Sequence, residues 1–379
     1  MKKTLMKKTI IVASTLSFIA SYLLHHPKIN GNIYSDIISF WYRPLVRDVK
    51  IPYIQEGFEY PPLAGLITYI SSLISQGEMV PYYNAFSTIL YLSYLLLVLT
   101  VFKMMDEKNT PPVYVFIFLI FTPSMIVYLN YNFDVVFAGF LILSLMFFEK
   151  SRYKFSALLF SAAALVKLIN IILLPILLTY LKDWRSRLAY LFYVFMPILV
   201  VNIGLQILNP SLFKDTYLFH AEWGLENAWF IYLFPSRDSW DTAKLFSALL
   251  MAYGLLKIYL SNVGNLYEKS FMLLSVFLLT NYVFTPQMVI FILPFLALIG
   301  RFQLTFYILE AANVGIILTW FMERDPLMPG ALPQNLALIR AAALLYILAE
   351  TYLKASGKKA TLKELIKPLV KMQTHNGDM

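Results

Sequence analysis

The stretch FSALLFSAAALVKLINIILLPILL, residues 155–178, decides the fold. It is a long apolar run in which Lys167 and Asn170 stand near the middle. The residues from Phe155 to Lys167 make about 20 Å of helix, whereas the hydrocarbon core of a bilayer is about 30 Å thick. A polar turn at that depth is tolerated only inside protein or at a water-filled cavity. The stretch therefore predicts a membrane protein with short helical hairpins that end at a cavity.

The composition of the whole chain indicates the same class. Of its 379 residues, 59% are hydrophobic and only 14% are charged. This hydrophobic share is larger than a soluble protein needs for its core. We expect an all-α polytopic membrane protein in which residues 1–354 form one transmembrane domain, with long external loops at 25–81 and 208–241. The absence of cysteine excludes disulfides and thiolate metal sites. Twelve membrane-spanning helices are expected near residues 8–24, 82–102, 112–129, 134–148, 154–167, 169–182, 187–207, 242–261, 269–283, 286–300, 303–321 and 335–354.

The distribution of lysine and arginine predicts the orientation in the cell membrane. An uncleaved signal-anchor at the N-terminus and twelve crossings put both termini in the cytoplasm. On this topology 21 of the 31 Lys and Arg residues lie at the inner side, nine lie outside, Arg340 among them, and Lys167 lies at depth. The formal charge of +9 therefore reflects topology, since the charges do not cluster as on a nucleic-acid-binding surface. Residues 355–379 are interpreted as a basic cytoplasmic tail that lies on anionic lipid.

A second hairpin is expected at residues 269–283 and 286–300. Its apex reads Thr285-Pro286-Gln287, and the proline breaks the helix and frees backbone groups that Gln287 or water could satisfy. Together the two hairpins predict a water-accessible vestibule at the outer membrane boundary, covered by the external loops.

The first external loop begins with NIYSDIISFWYRPLVR, residues 32–47. Polar and apolar residues alternate here with the period of a helix, which predicts one amphipathic helix lying on the membrane surface. Asp36 stands in its first turn, beside Ser35 as a possible cap. A carboxylate at that position either complements the helix dipole or takes part in catalysis.

The loop continues to Glu59-Tyr60-Pro61-Pro62. A residue before proline avoids the helical region, so Tyr60 and Pro61 are expected to be extended and a helix can start at Pro62. Glu59 and Tyr60 are thereby held on a stiff corner, either as an interfacial anchor or as substrate contacts.

These residues carry a resemblance to a known family. Asn32-Ile-Tyr-Ser-Asp36, Ile51-Pro-Tyr53 and Glu59-Tyr-Pro-Pro-Leu63 resemble the first-loop signature of GT-C glycosyltransferases that use polyprenyl-phosphate sugars. The groups most similar are the bacterial phosphatidylinositol-mannoside mannosyltransferases and, more distantly, the catalytic subunit of GPI mannosyltransferase I. The similarity extends through Asn132-Phe-Asp134, Ala164-Leu-Val-Lys167 and Thr285-Pro-Gln287.

The resemblance implies an enzyme that moves a hexose, with mannose favoured, from a polyprenyl-phosphate sugar to a lipid or glycolipid acceptor on the outer face. Asp36 would be the general base of a single displacement that inverts the anomeric carbon. Related enzymes often have a second acid two residues later, where this chain has Ile38. A divalent metal is therefore not favoured, and no other cofactor is expected.

Three cationic side chains are candidates to bind the donor phosphate: Lys167, Arg43 and His220. A lysine in lipid is costly, so Lys167 at a half-helix apex faces a cavity or an anion, unless it extends to the interface. The candidate substrate contacts are Glu59, Tyr60, Asp134, Glu222, Asn227 and Gln287.

Several of these contacts have a structural alternative. The second external loop holds polar side chains among aromatic ones, a mixture equally suited to sugar binding and to an interfacial aromatic belt. Its polar residues are His220, Glu222, Glu226 and Asn227. Asp134 is also an ordinary first-turn acid. Two other classes remain open at this point: a transporter or flippase of a lipid-linked sugar, which also uses broken helices, and a non-catalytic scaffold.

Overall fold

The computed structural model describes residues 2–358. Helices dominate this part of the chain, and within it the only strand-like pairings are two isolated bridges, Pro52 with Glu56 and Glu226 with Val283. The α-helices in chain order are α1 (Lys2–His25), α2 (Asp36–Trp41), α3 (Pro44–Arg47), α4 (Pro62–Ser75), α5 (Met79–Glu107), α6 (Val113–Val115), α7 (Pro123–Tyr128), α8 (Asp134–Glu149), α9 (Tyr153–Val166), α10 (Leu174–Tyr180), α11 (Trp184–Leu208), α12 (Pro210–Glu222), α13 (Trp240–Tyr259), α14 (Leu266–Thr280), α15 (Leu293–Ile299), α16 (Thr305–Trp320) and α17 (Leu332–Ala355).

All twelve predicted apolar segments are helical. Some are interrupted: a π-helical turn at Phe116–Ile120 joins α6 to the break before α7, and 3-10 helices at Leu168–Leu173 and Pro286–Phe291 precede α10 and α15. Among the described residues, four helices are long and apolar enough to cross a membrane by length and composition, namely α1, α5, α11 and α17. The predicted all-α membrane fold is confirmed, whereas the number of crossings stays a prediction.

Helix packing leaves apolar surface facing outward, as a membrane protein requires. Inside the bundle, α8 packs on α5 and α9, α16 packs along α17, and α14 contacts α13 and α17. By contrast α11 packs mainly on α9, and its apolar side chains are open, with Ile207 75% and Leu208 64% exposed. In lipid such a surface carries no penalty.

The first predicted hairpin is present. Helix α9 ends at Val166, Lys167 is extended, and the chain turns back through the 3-10 helix. Asn170 Nδ2 donates to the Phe160 carbonyl at 2.8 Å, across the turn. This hydrogen bond ties the returning chain to the middle of α9.

The second hairpin follows the same plan. In each hairpin a 3-10 helix of 6 residues leads into an α-helix of 7 residues with proline at its second position, Pro175 in one and Pro294 in the other. The expectation that Gln287 satisfies the broken backbone is wrong. The Pro286 carbonyl accepts from Asn313 Nδ2 at 3.0 Å, and the Phe284 carbonyl accepts from Arg340.

The first loop differs from its prediction in two respects. Instead of one helix from residue 32 there are two short helices, α2 and α3, because Arg43 precedes Pro44 and is extended with φ −86° and ψ 147°. Their apolar side chains do not face lipid, since Ile37 and Leu45 are buried within the protein. The loop is therefore part of the folded core, and α4 begins at Pro62 as expected.

The predicted basic tail cannot be compared in full, because residues 359–379 lie outside the described part of the chain. Arg340, counted among the external charges, is fully buried within α17.

A substitution at Gly77, between α4 and α5, can test the packing of the first loop. Gly77 has φ +78°, and a Cβ there would lie 2.1 Å from the Arg47 carbonyl oxygen, while its own carbonyl accepts from Trp41 Nε1 at 2.7 Å. Gly77→Ala is expected to lower the thermal melting midpoint in detergent strongly. Gly31→Ala is the matched control, since Gly31 has φ +75° and nothing within 4 Å, so only the backbone strain of about 1–3 kcal/mol applies. Equal losses in the two variants would contradict the packing described here.

Candidate active site

Asp36 is the first residue of α2 and opens onto a cavity. The helix begins there because Ser35 is its N-cap, whose hydroxyl accepts from the Ile38 amide at 3.5 Å. A first-turn acid also complements the helix dipole. The structural role foreseen for Asp36 is therefore fulfilled, and the side chain still faces open space.

Asn132 holds the Asp36 carboxylate in place. Its Nδ2 donates to Asp36 Oδ2 at 2.7 Å and to the Tyr60 hydroxyl oxygen at 2.9 Å, while its Oδ1 accepts from the Phe133 amide at 2.6 Å. Asn132 is fully buried. One amide thus fixes the acid and the Tyr60 ring relative to each other.

Lys167 is paired in the bundle interior. Its Nζ donates to Asp134 Oδ1 at 2.6 Å, and the two side chains are 9% and 0% exposed. Lys167 nevertheless lines the cavity, and its ammonium lies 5.9 Å from the centre of the Tyr60 ring. Asp134 is absent from the cavity lining, so its observed contact is with Lys167.

A second ion pair stands at the cavity wall. Arg43 donates to Glu59 through Nη1, and its guanidinium lies 5.3 Å from the Phe40 ring centre. The Arg43 side chain is 40% exposed and that of Glu59 is 10% exposed. Both residues line the cavity, and Glu59 lies on the corner predicted from the prolines.

The second external loop closes over the first. Helix α12 is attached where Thr216 Oγ1 donates to the Phe58 carbonyl at 3.0 Å. The Tyr282 hydroxyl donates to the His220 carbonyl at 2.6 Å, which ties the end of α12 to the second hairpin. His220 reaches the cavity, whereas Glu222 is exposed and lies outside the lining.

These elements enclose a cavity of about 680 Å³. Polar and charged side chains from both loops meet aromatic rings from α16 and the second hairpin. Its lining includes Tyr34, Asp36, Arg43, Glu59, Tyr60, Tyr131, Lys167, His220, Trp223, Glu226, Asn227, Tyr282, Gln287, Trp320 and Phe321.

The protein environment shifts three ionisable groups of the loops. Burial raises the pKa of Asp36 to about 6, although Tyr34, Asn132 and Lys167 oppose the shift. Burial, together with the charge of Asp36, raises the pKa of Glu226 to about 7. Burial and the Lys167 charge lower the pKa of His220. The pKa values of Asp36 and Glu226 are therefore both raised towards neutrality.

The cavity brings together most of the predicted site residues. Glu226 was considered only as one of the polar residues of the second loop, whereas Tyr34 and the buried Arg340 behind the wall were not predicted as site residues. The only sequence signal for Arg340 was a charge within an apolar run, which usually marks an internal role. Glu226 had no signal beyond its place among the polar residues of the second loop.

No group of three or more His, Asp or Glu side chains within residues 2–358 is arranged to hold a metal ion. Beside Asp36 the polar partner is the neutral amide of Asn132, and Asp134 is occupied by Lys167. This donor set does not fit a divalent cation, which prefers several carboxylate oxygens.

Comparison with known families decides the class. The model of glycosyltransferase family 87 matches residues 58–278, more than half of the chain. The chain belongs to glycosyltransferase family 87. This family 87 protein is therefore a membrane glycosyltransferase, which confirms the predicted resemblance to GT-C glycosyltransferases.

Other comparisons are more distant. Among curated proteins no match is found. Among solved structures the chain is similar to ArnT from Cupriavidus metallidurans in the apo state, at 13% identity and a TM-score of 0.47 over 93% of this chain and 78% of that one. It is also similar to the same protein bound to undecaprenyl phosphate, at 14% identity and a TM-score of 0.47 over 90% and 70% of the two chains.

The buried ion pair predicts a specific pattern of stabilities. Lys167→Met is expected to lower the free energy of unfolding by about 3–5 kcal/mol, because it leaves the Asp134 charge buried and uncompensated. Adding Asp134→Leu should restore most of the loss in thermal melting midpoint.

Lys50→Met is the control, since Lys50 pairs with Glu56 at 3.0 Å but both side chains are more than a third exposed. That change should have little effect on the melting midpoint. A double variant no more stable than Lys167→Met alone would show that the pair does not stabilise the bundle.

Proposed function

We propose that this protein transfers a hexose, with mannose favoured, from a polyprenyl-phosphate sugar to a lipid or glycolipid acceptor, with inversion at the anomeric carbon. The observation that carries the proposal is the Asp36 carboxylate, fixed by Asn132 and open to a cavity that also receives Lys167, Arg43 and His220. Glycosyl transfer from a lipid phosphate requires such a base and cationic partners for the departing phosphate.

In the proposed reaction Asp36 accepts the proton of an acceptor hydroxyl. The acceptor oxygen forms a bond to the anomeric carbon as the bond from that carbon to the phosphate oxygen breaks, and the polyprenyl phosphate leaves with the electron pair. Asn132 keeps the carboxylate aimed during the step. No metal is assigned a part, because the side chains present do not fit one.

The proposed phosphate site lies at Lys167, Arg43 and His220. The ion pairs do not use all the N–H donors of these side chains, because a lysine ammonium has three donors and an arginine guanidinium has five. Lys167 uses one on Asp134, and Arg43 uses one on Glu59. The remaining donors are available to phosphate oxygens.

The proposed sugar site uses the aromatic wall and polar side chains of the cavity lining. Gln287 and Asn227 are two of these side chains. Glu59 and Tyr60 complete the proposed set, and Trp223 offers a ring on which a sugar can stack.

The active site is proposed to face the outside of the cell membrane, with both termini in the cytoplasm. The excess of Lys and Arg on the predicted inner side supports this orientation. A donor that arrives through the lipid requires no cytosolic nucleotide-binding domain.

Asp36→Asn tests the base. With purified full-length protein, polyprenyl-phosphate mannose and a membrane lipid extract, mass spectrometry should detect a new glycolipid, and the variant should be slower by about 10²–10⁴. Asp241→Asn is the control, because Asp241 is also a first-turn acid but is 99% exposed, and it should be fully active. Near wild-type turnover in folded Asp36→Asn would refute the role of base, and sugar-lipid movement across vesicles without product would refute transfer.

The pH dependence follows from the raised pKa of Asp36. A base must be ionised, so kcat/KM should be constant well above pH 6 and should fall about tenfold per pH unit below the pKa of about 6. If kcat/KM began to fall only near pH 4, the range of an unperturbed aspartate, the decrease would be caused by a group other than Asp36 with its raised pKa.

A further inference from the structure

The backbone of Glu226 is fixed on both sides. Its amide donates to the Tyr282 carbonyl at 3.0 Å, and its carbonyl accepts from the Phe284 amide at 2.9 Å, which forms a bridge to the second hairpin. The next residue, Asn227, has φ 53°, and its carbonyl accepts from Arg340 Nη2 at 3.1 Å. A left-handed residue and a buried arginine thus hold this short segment against the cavity.

The side chain of Glu226, by contrast, is left without a partner. The other carboxylates at the site are paired: Asp36 with Asn132, Glu59 with Arg43, and Asp134 with Lys167. Glu226 lines the cavity, and within residues 2–358 its carboxylate makes no hydrogen bond or ion pair. A half-buried acid with no protein partner is costly unless a ligand supplies hydrogen bonds.

The three proposed phosphate ligands, Lys167, Arg43 and His220, are called the cationic side of the cavity. Glu226 has no cation bound to it within the described residues, and its backbone is held instead by Tyr282 and Phe284 of the second hairpin. Arg340 does not line the cavity, and its guanidinium is directed at the Asn227 and Phe284 carbonyls and at Asn313. N–H donors of the cationic side can bind an anionic lipid phosphate, whereas the Glu226 carboxylate repels it.

We infer that Glu226 is the specificity residue for the acceptor, and that its carboxylate binds neighbouring hydroxyls of a neutral sugar whose reacting hydroxyl contacts Asp36. The inference rests on the proposed function, which assigns the phosphate to the cationic side. Trp223 and Trp320 line the same cavity and provide faces for a sugar ring. The raised pKa of Glu226, about 7, gives it both protonation states near neutrality, so it can donate as well as accept.

The test uses purified full-length protein, polyprenyl-phosphate mannose as donor, and octyl α-mannoside with its monodeoxy analogues as acceptors. Glu226→Gln should raise the KM for octyl mannoside by about 10–100-fold, as expected for loss of a hydrogen bond to a charged group. The KM for the donor should change by less than about twofold, and slow hydrolysis of the donor without acceptor should persist, since both depend on the cationic side. Asp241→Asn should behave as wild type.

The deoxy analogues give a readout that a purely structural role would not change. In wild type, removing the acceptor hydroxyl that contacts Glu226 should raise the KM for the acceptor. In Glu226→Gln the same removal should raise this KM much less or not at all. If Glu226→Gln is unstable, Glu226→Asp keeps the charge and should lie between wild type and Glu226→Gln in acceptor KM. An unchanged acceptor KM, or a donor KM raised equally, would overturn the inference.

Failure of the proposed function has a different signature. If wild type forms no product and hydrolyses no polyprenyl-phosphate mannose, the donor assignment fails, and Glu226 is then judged by binding. Quenching of tryptophan fluorescence by octyl mannoside should saturate in wild type and require higher concentrations in Glu226→Gln. Equal binding by the two proteins would overturn the acceptor role.

Discussion

The buried ion pair between Lys167 and Asp134 is the interaction on which the site depends. Neither charge is tolerable alone in the bundle interior, so the end of the half-length helix α9 must stay at the first turn of α8. Two residues before Asp134, Asn132 donates to both Asp36 and Tyr60. One short turn therefore fixes the lysine through its acid and the proposed base through its amide. Cation and carboxylate are positioned relative to each other by two residues that are close in sequence, Asn132 and Asp134.

The same constraint explains the other buried polar groups. Each hairpin breaks a helix where water is scarce, and each break exposes carbonyls that need donors. In the second hairpin Arg340 and Asn313 serve the broken segment, with Arg340 bound to Phe284. In the first, Asn170 ties the turn back to Phe160 in the middle of α9. An arginine suits the second break because its planar group reaches several acceptors at once. Its donors also hold the segment that carries the cavity wall, so fold and site are stabilised by the same side chain.

The sequence predicts those features of this structure that depend on residues close together in the chain, and it misses those that depend on distant residues. The helical segments were predicted because a helix satisfies its own backbone, and the first hairpin because Lys167 interrupts an apolar run. The prediction of one helix on the membrane surface was wrong, since Pro44 breaks the helix and its apolar residues pack inside the protein. The pairing of Lys167 with Asp134 joins positions 33 apart, and the tether at Arg340 spans more of the chain, so neither follows from spacing or period. Residue types identified most of the charged side chains that line the cavity, but only the tertiary structure assigns their partners.

The pairing of the cations bears on how a lipid phosphate is released in the proposed reaction. An unpaired lysine and arginine in a low-dielectric cavity would bind the departing polyprenyl phosphate as tightly as the donor, and uniform binding does not accelerate the chemical step. With Glu59 on Arg43 and Asp134 on Lys167, each pair is close to neutral but keeps free N–H donors directed by its geometry. Such dipoles stabilise the charge that develops as the bond breaks and hold the product less firmly than free charges would. In the proposed reaction the carboxylates beside the cations thus affect turnover as well as stability.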